Sequence, residues 1–205
     1  VDGLTNSGAI SVSGFKSGFS MFVSGNVGRF GSSVGGTIKN FSNSGSIYVD
    51  EKNTIGAGLF VGGCIGHANS DSTGAVTDCE NSGDITLKPF VSSQMVVGGV
   101  GGVIDLNSNS ASNERLVNRG KITVDFKDMV ESKNFFVGGV VGQMLDHSRD
   151  LHNYGDIEAN GVIKTNARFA GVIGYVNHYN RRSISNSGNI TINAHITGTC
   201  KVGGI

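Results

Sequence analysis

The chain has no tryptophan, one proline (Pro89), three cysteines and no net charge across its 205 residues. Each shortage excludes something. Sixteen basic residues balance sixteen acidic ones, so the basic excess that neutralises phosphates is missing and no nucleic-acid partner is expected. The longest apolar stretch, Met95 to Ile104, is too short to span a bilayer and is broken by glycines, so this segment is not expected to insert in a membrane. Three cysteines cannot all pair, and no Cys-x-x-Cys or Cys/His spacing occurs, so neither a metal site nor a cofactor is expected. Glycine alone is abundant, at 33 residues. It shows no Gly-X-Y period, which excludes collagen, and apolar residues alternate between the glycines, which argues against disorder.

What is present is repetition. The phrases "LTNSGAISV", "FSNSGSIYV", "CENSGDITL", "LVNRGKITV", "LHNYGDIEA" and "ISNSGNITI" place Asn6, Asn43, Asn81, Asn118, Asn153 and Asn186 at intervals of 37, 38, 37, 35 and 33 residues. A second phrase, "VSGNVG", "VGGCIG", "VGGVID", "VGGVVG", "FAGVIG" and "VGGI", begins at Val23, Val61, Val100, Val137, Phe169 and Val202 and keeps the same period. Two markers in step signify a stacked or radial repeat architecture. After each Asn-x-Gly, the pairs Ile10/Val12, Ile47/Val49, Ile85/Leu87, Ile122/Val124, Ile157/Ala159 and Ile190/Ile192 alternate as a half-buried strand does. Ser11, Tyr48, Thr86, Thr123, Glu158 and Thr191 then face outward. Lys121 falls between Asp84 and Asp156 of the neighbouring copies, an opposite-charge ladder if the repeats stack. Asn suits a tight corner, and stacked copies can hydrogen-bond one another as an Asn ladder.

The expected fold is all-β: a parallel β-solenoid of about six repeats of 32–39 residues, one three-stranded coil per repeat. The strands are the Ile segment, the glycine phrase, and a short segment ending at Leu4, Phe41, Cys79, Leu116, Leu151 or Ile184. Two coils per repeat and a six-bladed propeller are the alternatives. The chain begins just before one phrase and stops inside another, with no polar cap at either end, so residues 1–205 read as a single solenoid segment of a longer protein, truncated at both ends. Cys64 aligns with Val103, Val140 and Val172, Cys79 with Leu116, Leu151 and Ile184, and Cys200 with Leu59 and Phe135. Sitting at apolar positions of the template, all three are expected to be buried and unpaired.

The "GVIG" and "ISNSGNITI" phrases, with Gly62-Gly63-Cys64-Ile65-Gly66 and Gly138-Gly139-Val140-Val141-Gly142, resemble the GLUG-motif repeat proteins. More distantly they are similar to filamentous-haemagglutinin-like coils and chlamydial polymorphic outer-membrane protein-like repeats. The resemblance implies a secreted or cell-surface β-solenoid and supplies no catalytic residues. It departs from the GLUG pattern in using Ile where Val is frequent and in lacking Asn-Cys-Tyr.

The function expected is therefore an extracellular structural or adhesive repeat protein: an adhesin, surface stalk, surface layer or filament component. Its partners would be a host surface, a glycan or neighbouring copies of itself. The alternative is a carbohydrate-binding or polysaccharide-degrading β-helix. Asp105, Asp146, Asp150 and His147 fall in neighbouring turns, but Asp and His are ordinary turn residues, so no enzyme activity is expected. The densest binding candidate is "YVNHYNRR", with Tyr175, His178, Tyr179, Arg181 and Arg182, because aromatic faces and guanidinium forks suit sugars and acidic glycans.

Overall fold

The computed structural model describes residues 1–32, 36–70, 73–106, 112–126, 134–177 and 181–205. Among these residues there is no helix, and successive repeats pair strand on strand in parallel as a β-solenoid of about five turns. Each repeat makes one coil. Parallel pairing between repeats excludes the propeller, whose blades are separate sheets around a channel.

The Ile segments form one wall: Ile10–Val12, Ile47–Val49, Ile85–Leu87, Ile122–Phe126, Ile157–Ile163 and Ile190–Ile196. The six isoleucines stand in register as a column. Ile47, Ile85, Ile122 and Ile157 are buried, whereas Ile10 and Ile190 in the outermost rungs are half-buried. Each full burial contributes roughly 1.5–3 kcal/mol. The outward row runs Ser11, Tyr48, Thr86, Thr123, Glu158, Thr191, as the alternation requires. The charge ladder is built differently from the simple stack. The Lys121 ammonium reaches Glu158 at 2.5 Å, while the Lys121 backbone N–H donates to Asp84 at 2.8 Å and Asp156 accepts the N–H of Asn189 at 2.7 Å.

The segment before each Asn forms a second wall, in which Ala75–Asn81, Asn113–Asn118, Ser148–Asn153 and Arg181–Asn186 run through the Asn itself. Three residues before each Asn the backbone is left-handed: Gly3, Asn40, Asp78, Arg115, Asp150 and Ser183 all have φ between 52° and 73°. That column goes mostly to Gly, Asn and Asp, which bear this conformation at least cost.

The glycine phrase is two strands. It ascends through Met21–Ser24, Gly58–Gly62, Gln94–Gly98, Asn134–Gly138, Ala167–Ala170 and Cys200–Gly203. It then creases and descends through Val27–Ser32, Ile65–Ser70, Gly101–Asp105, Val141–Met144 and Ile173–Val176. The three segments marked in the sequence are thus all in strand, the glycine phrase contributing a pair. Short strands at Lys16–Ser17, Thr54–Ile55 and Phe90–Val91 add a small wall to the first coils.

The crease is held by the Asn corner across the coil. A Cβ on Gly63 would lie 2.2 Å from the Asn81 side chain, and Gly25, Gly99, Gly139 and Gly171 meet Asn43, Asn118, Asn153 and Asn186 in the same way. Only glycine fits, which is why the second residue of the crease is Gly in every coil while the first is Ser, Gly or Ala. The Asn side chains form the expected ladder. Each Nδ2 donates to the next Oδ1 along the axis at 2.7–2.8 Å, from Asn6 through Asn186. It also donates to the carbonyl two residues on, at 2.7–2.8 Å. This Asn–Gly neck divides the interior into two apolar compartments. One lies under the Ile wall, with Leu59, Met95 and Phe135. The other lies under the wall before Asn, with Phe41, Leu116, Ile104 and Met144.

Two sequence-based alignments are corrected. In the third coil the crease is Val97-Gly98-Gly99, which pairs with Val61-Gly62 and Val137-Gly138, and not the phrase beginning at Val100. Gly99 meets Asn118, so the neck selects this register over one three residues later. Cys64 therefore stacks on Val100, Val140 and Val172 through backbone bonds of 2.8–2.9 Å, and Val103 instead packs in a separate buried cluster with Phe60, Val96 and Phe136. Second, Cys200 is exposed, while Cys64 and Cys79 are buried, and all three are unpaired. Cys200 does occupy the inward column of Leu59, Met95, Phe135 and Ala167. It lies in the outermost described rung, which pairs on one side with Ala167–Ala170. Burial raises the Cys79 thiol to about 12 and pushes Cys64 well above the ordinary range.

Candidate functional site

Folding each glycine phrase at its crease brings the outer faces of the ascending and descending strands toward one another. The column next to the crease on the descending side is glycine in all five coils: Gly28, Gly66, Gly102, Gly142 and Gly174. A Cβ on Gly102 would meet the Gly66 carbonyl at 2.3 Å and the Val61 backbone at 3.0 Å. Beyond this tight base the facing side chains of the two walls pack along a seam that follows the solenoid axis. Phe60, Val96, Val103 and Phe136 are buried in it as one cluster, Phe22 and Tyr175 are half-buried against it, and the groove is what stays open above them. One wall presents the ladder Phe22, Phe60, Val96, Phe136, Arg168, Lys201. The other presents Arg29, His67, Val103, Gln143, Tyr175.

The facing side chains stack. Phe22 and Phe60 lie 5.1 Å apart and nearly parallel, and His67 stacks on both at 5.6 and 5.3 Å. Phe136 and Tyr175 stack at 4.9 Å. Arg29 sits over Phe22 at 5.3 Å, and Arg168 over Phe136 and Tyr175 at 5.3 and 4.8 Å. Such contacts hold a guanidinium flat against the rings. Burial first, then the Arg29 charge, pulls the His67 pKa below its ordinary value, so its imidazole stacks as a neutral ring. An open hollow of about 460 Å³ lies over Val103, edged by Gln94, Asn134, Gln143 and Asp105. Burial, and then the nearby Asp146, raises the Asp105 carboxyl.

Of the residues singled out from the sequence, Tyr175 lies in this groove. Arg182 does not: it is in the wall before Asn, next to Arg149 in register. His178 and Tyr179 lie outside the described residues, as does the side chain of Arg181. Asp146 is buried and accepts the Leu106 N–H at 2.6 Å. Asp150 is one of the left-handed residues of the wall before Asn. The sequence pattern alone does not mark Phe22, Phe60, Phe136, Arg29, His67 and Arg168 as lining this seam. A signal was present, since phenylalanine precedes the glycine phrase in several copies. Its outward direction becomes visible only once the crease is known.

A second polar cluster neutralises itself. Glu114 is paired with Arg115 and Arg149, which hold its carboxyl below the usual range, Arg149 foremost. Arg115 also reaches Asp78 at 2.8 Å. Among the described residues, no group of three or more His, Cys, Asp or Glu side chains is placed to hold a metal ion, and no helix is long and apolar enough to cross a membrane. Compared with protein-family models, curated proteins and solved structures, the chain matches none.

Proposed function

We propose that this chain is a non-catalytic, extracellular or cell-surface solenoid of the GLUG-motif type, acting as a stiff adhesive rod whose groove contacts glycans. The observation that supports this most is the division of labour among positions. The Asn, Gly and Ile columns that recur in every coil are consumed by the ladder, the neck and the core. The groove ladders change from rung to rung and carry the outward-facing rings and guanidinium groups. Carbohydrate faces pack on aromatic side chains while their hydroxyls meet amides and guanidinium groups. Cleavage by paired carboxylates would need two acids flanking the scissile bond, and Asp146 is occupied by the Leu106 N–H.

The test couples the chain to beads and measures their retention on immobilised polysaccharides, with the supernatant assayed for released sugar. Retention without release is the expected result. Turnover that is lost when Asp105 or Asp146 is replaced by Asn would move the protein to the enzymes, and beads that adhere to no polysaccharide would remove the adhesive role.

A further inference from the structure

One histidine of the seam is enclosed in a way that suits only its neutral form. His67 stands on the descending strand Ile65–Ser70 and stacks on Phe22 and Phe60 of the ascending strands at 5.6 and 5.3 Å. Its Nδ1 is covered and has no hydrogen-bond partner, unlike that of His152, which meets the Ser185 hydroxyl at 2.7 Å. A neutral ring fits this enclosure by carrying its proton on Nε2. An imidazolium carries a proton on both nitrogens. Protonation therefore puts an N–H donor where nothing accepts it, and an unsatisfied buried donor costs stability.

The charges around the ring add to that cost. Arg29 is in register with His67 in the first coil and already lies over Phe22 at 5.3 Å, so this stack holds one cation before an imidazolium forms. The ascending strands Met21–Ser24 and Gly58–Gly62 bring no charged side chain, and the residue in register from the third coil is Val103. Among the residues lining the hollow, Arg168 is a further cation, Tyr175 is neutral in the range where histidine titrates, and Asp105 is the one carboxylate. The Asp105 carboxyl is itself raised, so acid discharges it as the imidazole gains its charge.

We propose that His67 is an acid-sensitive latch on this seam: its protonation turns the ring out to water, unseats the Phe22–Phe60 stack and opens the first two coils between their glycine strands. The latch goes beyond the adhesive reading and does not depend on it. Its direction follows from linkage. Burial, and then Arg29, hold the His67 pKa below the ordinary value. On acidification the opened or unfolded chain takes up a proton from about pH 6.5, before the closed seam does. The stability of the closed seam is complete above that pH and is lost as the pH falls through the lower, folded value.

Histidine ring NMR and hydrogen exchange on the whole chain, each followed from about pH 8 to about pH 5, test the latch. His67 is expected to titrate below the other histidines. Protection factors in Gly58–Gly62 and Ile65–Ser70 should fall about tenfold over that range while those in Ile122–Phe126 hold. His67→Phe keeps a ring in the stack and has nothing to protonate, so its protection there should not change with pH. If His67→Phe does not fold, Arg29→Gln serves instead, and the His67 titration should then move up toward the ordinary value. A His67 that titrates at or above the ordinary value overturns the latch. So does an equal acid loss in the parent and His67→Phe, or a loss spread evenly over all coils.

Discussion

At the scale of a single residue, Asp105 is a half-buried carboxylate whose charge costs stability. Its carboxyl is raised by burial and by Asp146, so from the ordinary carboxylate value of about 4 up to its raised value the folded chain holds a proton that the unfolded chain has released. The unfolded state then binds fewer protons, and stability falls as pH rises through that window. Above it the full cost of the charge is present. Asp105→Asn should therefore raise the melting temperature at pH 7, with the gain disappearing below about pH 3.5, where Asp is protonated in both states. Thermal melts of the two proteins across pH measure it directly. A lower melting temperature for the variant at pH 7 would mean that the charge is compensated by a partner.

Among the elements, the Asn ladder contributes more than a turn preference would suggest. Asn118 is fully buried, donates to Gly120 and Asn153, and accepts from Asn81, all at 2.8 Å. Truncating it removes a partner from the Gly120 carbonyl, the Asn153 amide oxygen and one Asn81 amide N–H inside the neck, at about 1–3 kcal/mol for each group left unsatisfied. Asn118→Ala should therefore cost about 3 kcal/mol in chemical denaturation. Asn6→Ala, in the half-exposed first rung where water can substitute, should cost under about 1 kcal/mol. Equal losses at the two sites would show that the ladder acts through turn geometry alone.

Over the whole molecule, each coil touches only its neighbours, so stability is close to a sum of rung and interface contributions. The middle rungs are covered on both sides and the outermost on one, as the difference between Ile122 and Ile190 shows. Native-state hydrogen exchange should accordingly be slowest in Ile85–Leu87 and Ile122–Phe126 and fastest in Ile190–Ile196. Uniform protection from the first rung to the last would indicate all-or-none cooperativity across the solenoid.

Much of this architecture is written in local pattern. The period, the inward Ile column, the outward row from Ser11 to Thr191 and the Asn ladder depend on residues one or two positions apart and on stacking of like on like, so the sequence by itself determined them. The crease, the register of the third coil and the groove depend on contacts across the coil. Val97-Gly98-Gly99 and Val100-Gly101-Gly102 are interchangeable as text, and only the packing of Gly99 on Asn118 chooses between them. That choice takes Val103 out of the compartment under the wall before Asn and packs it with Phe60, Val96 and Phe136 between the two glycine strands. The crease in the later coils places Tyr175 against Phe136, 39 residues away in the chain, while Arg182, seven residues from Tyr175, goes to another wall. Sequence proximity could not place these side chains, because a coil brings together residues one turn apart, and the bend at the neck decides which of them face each other.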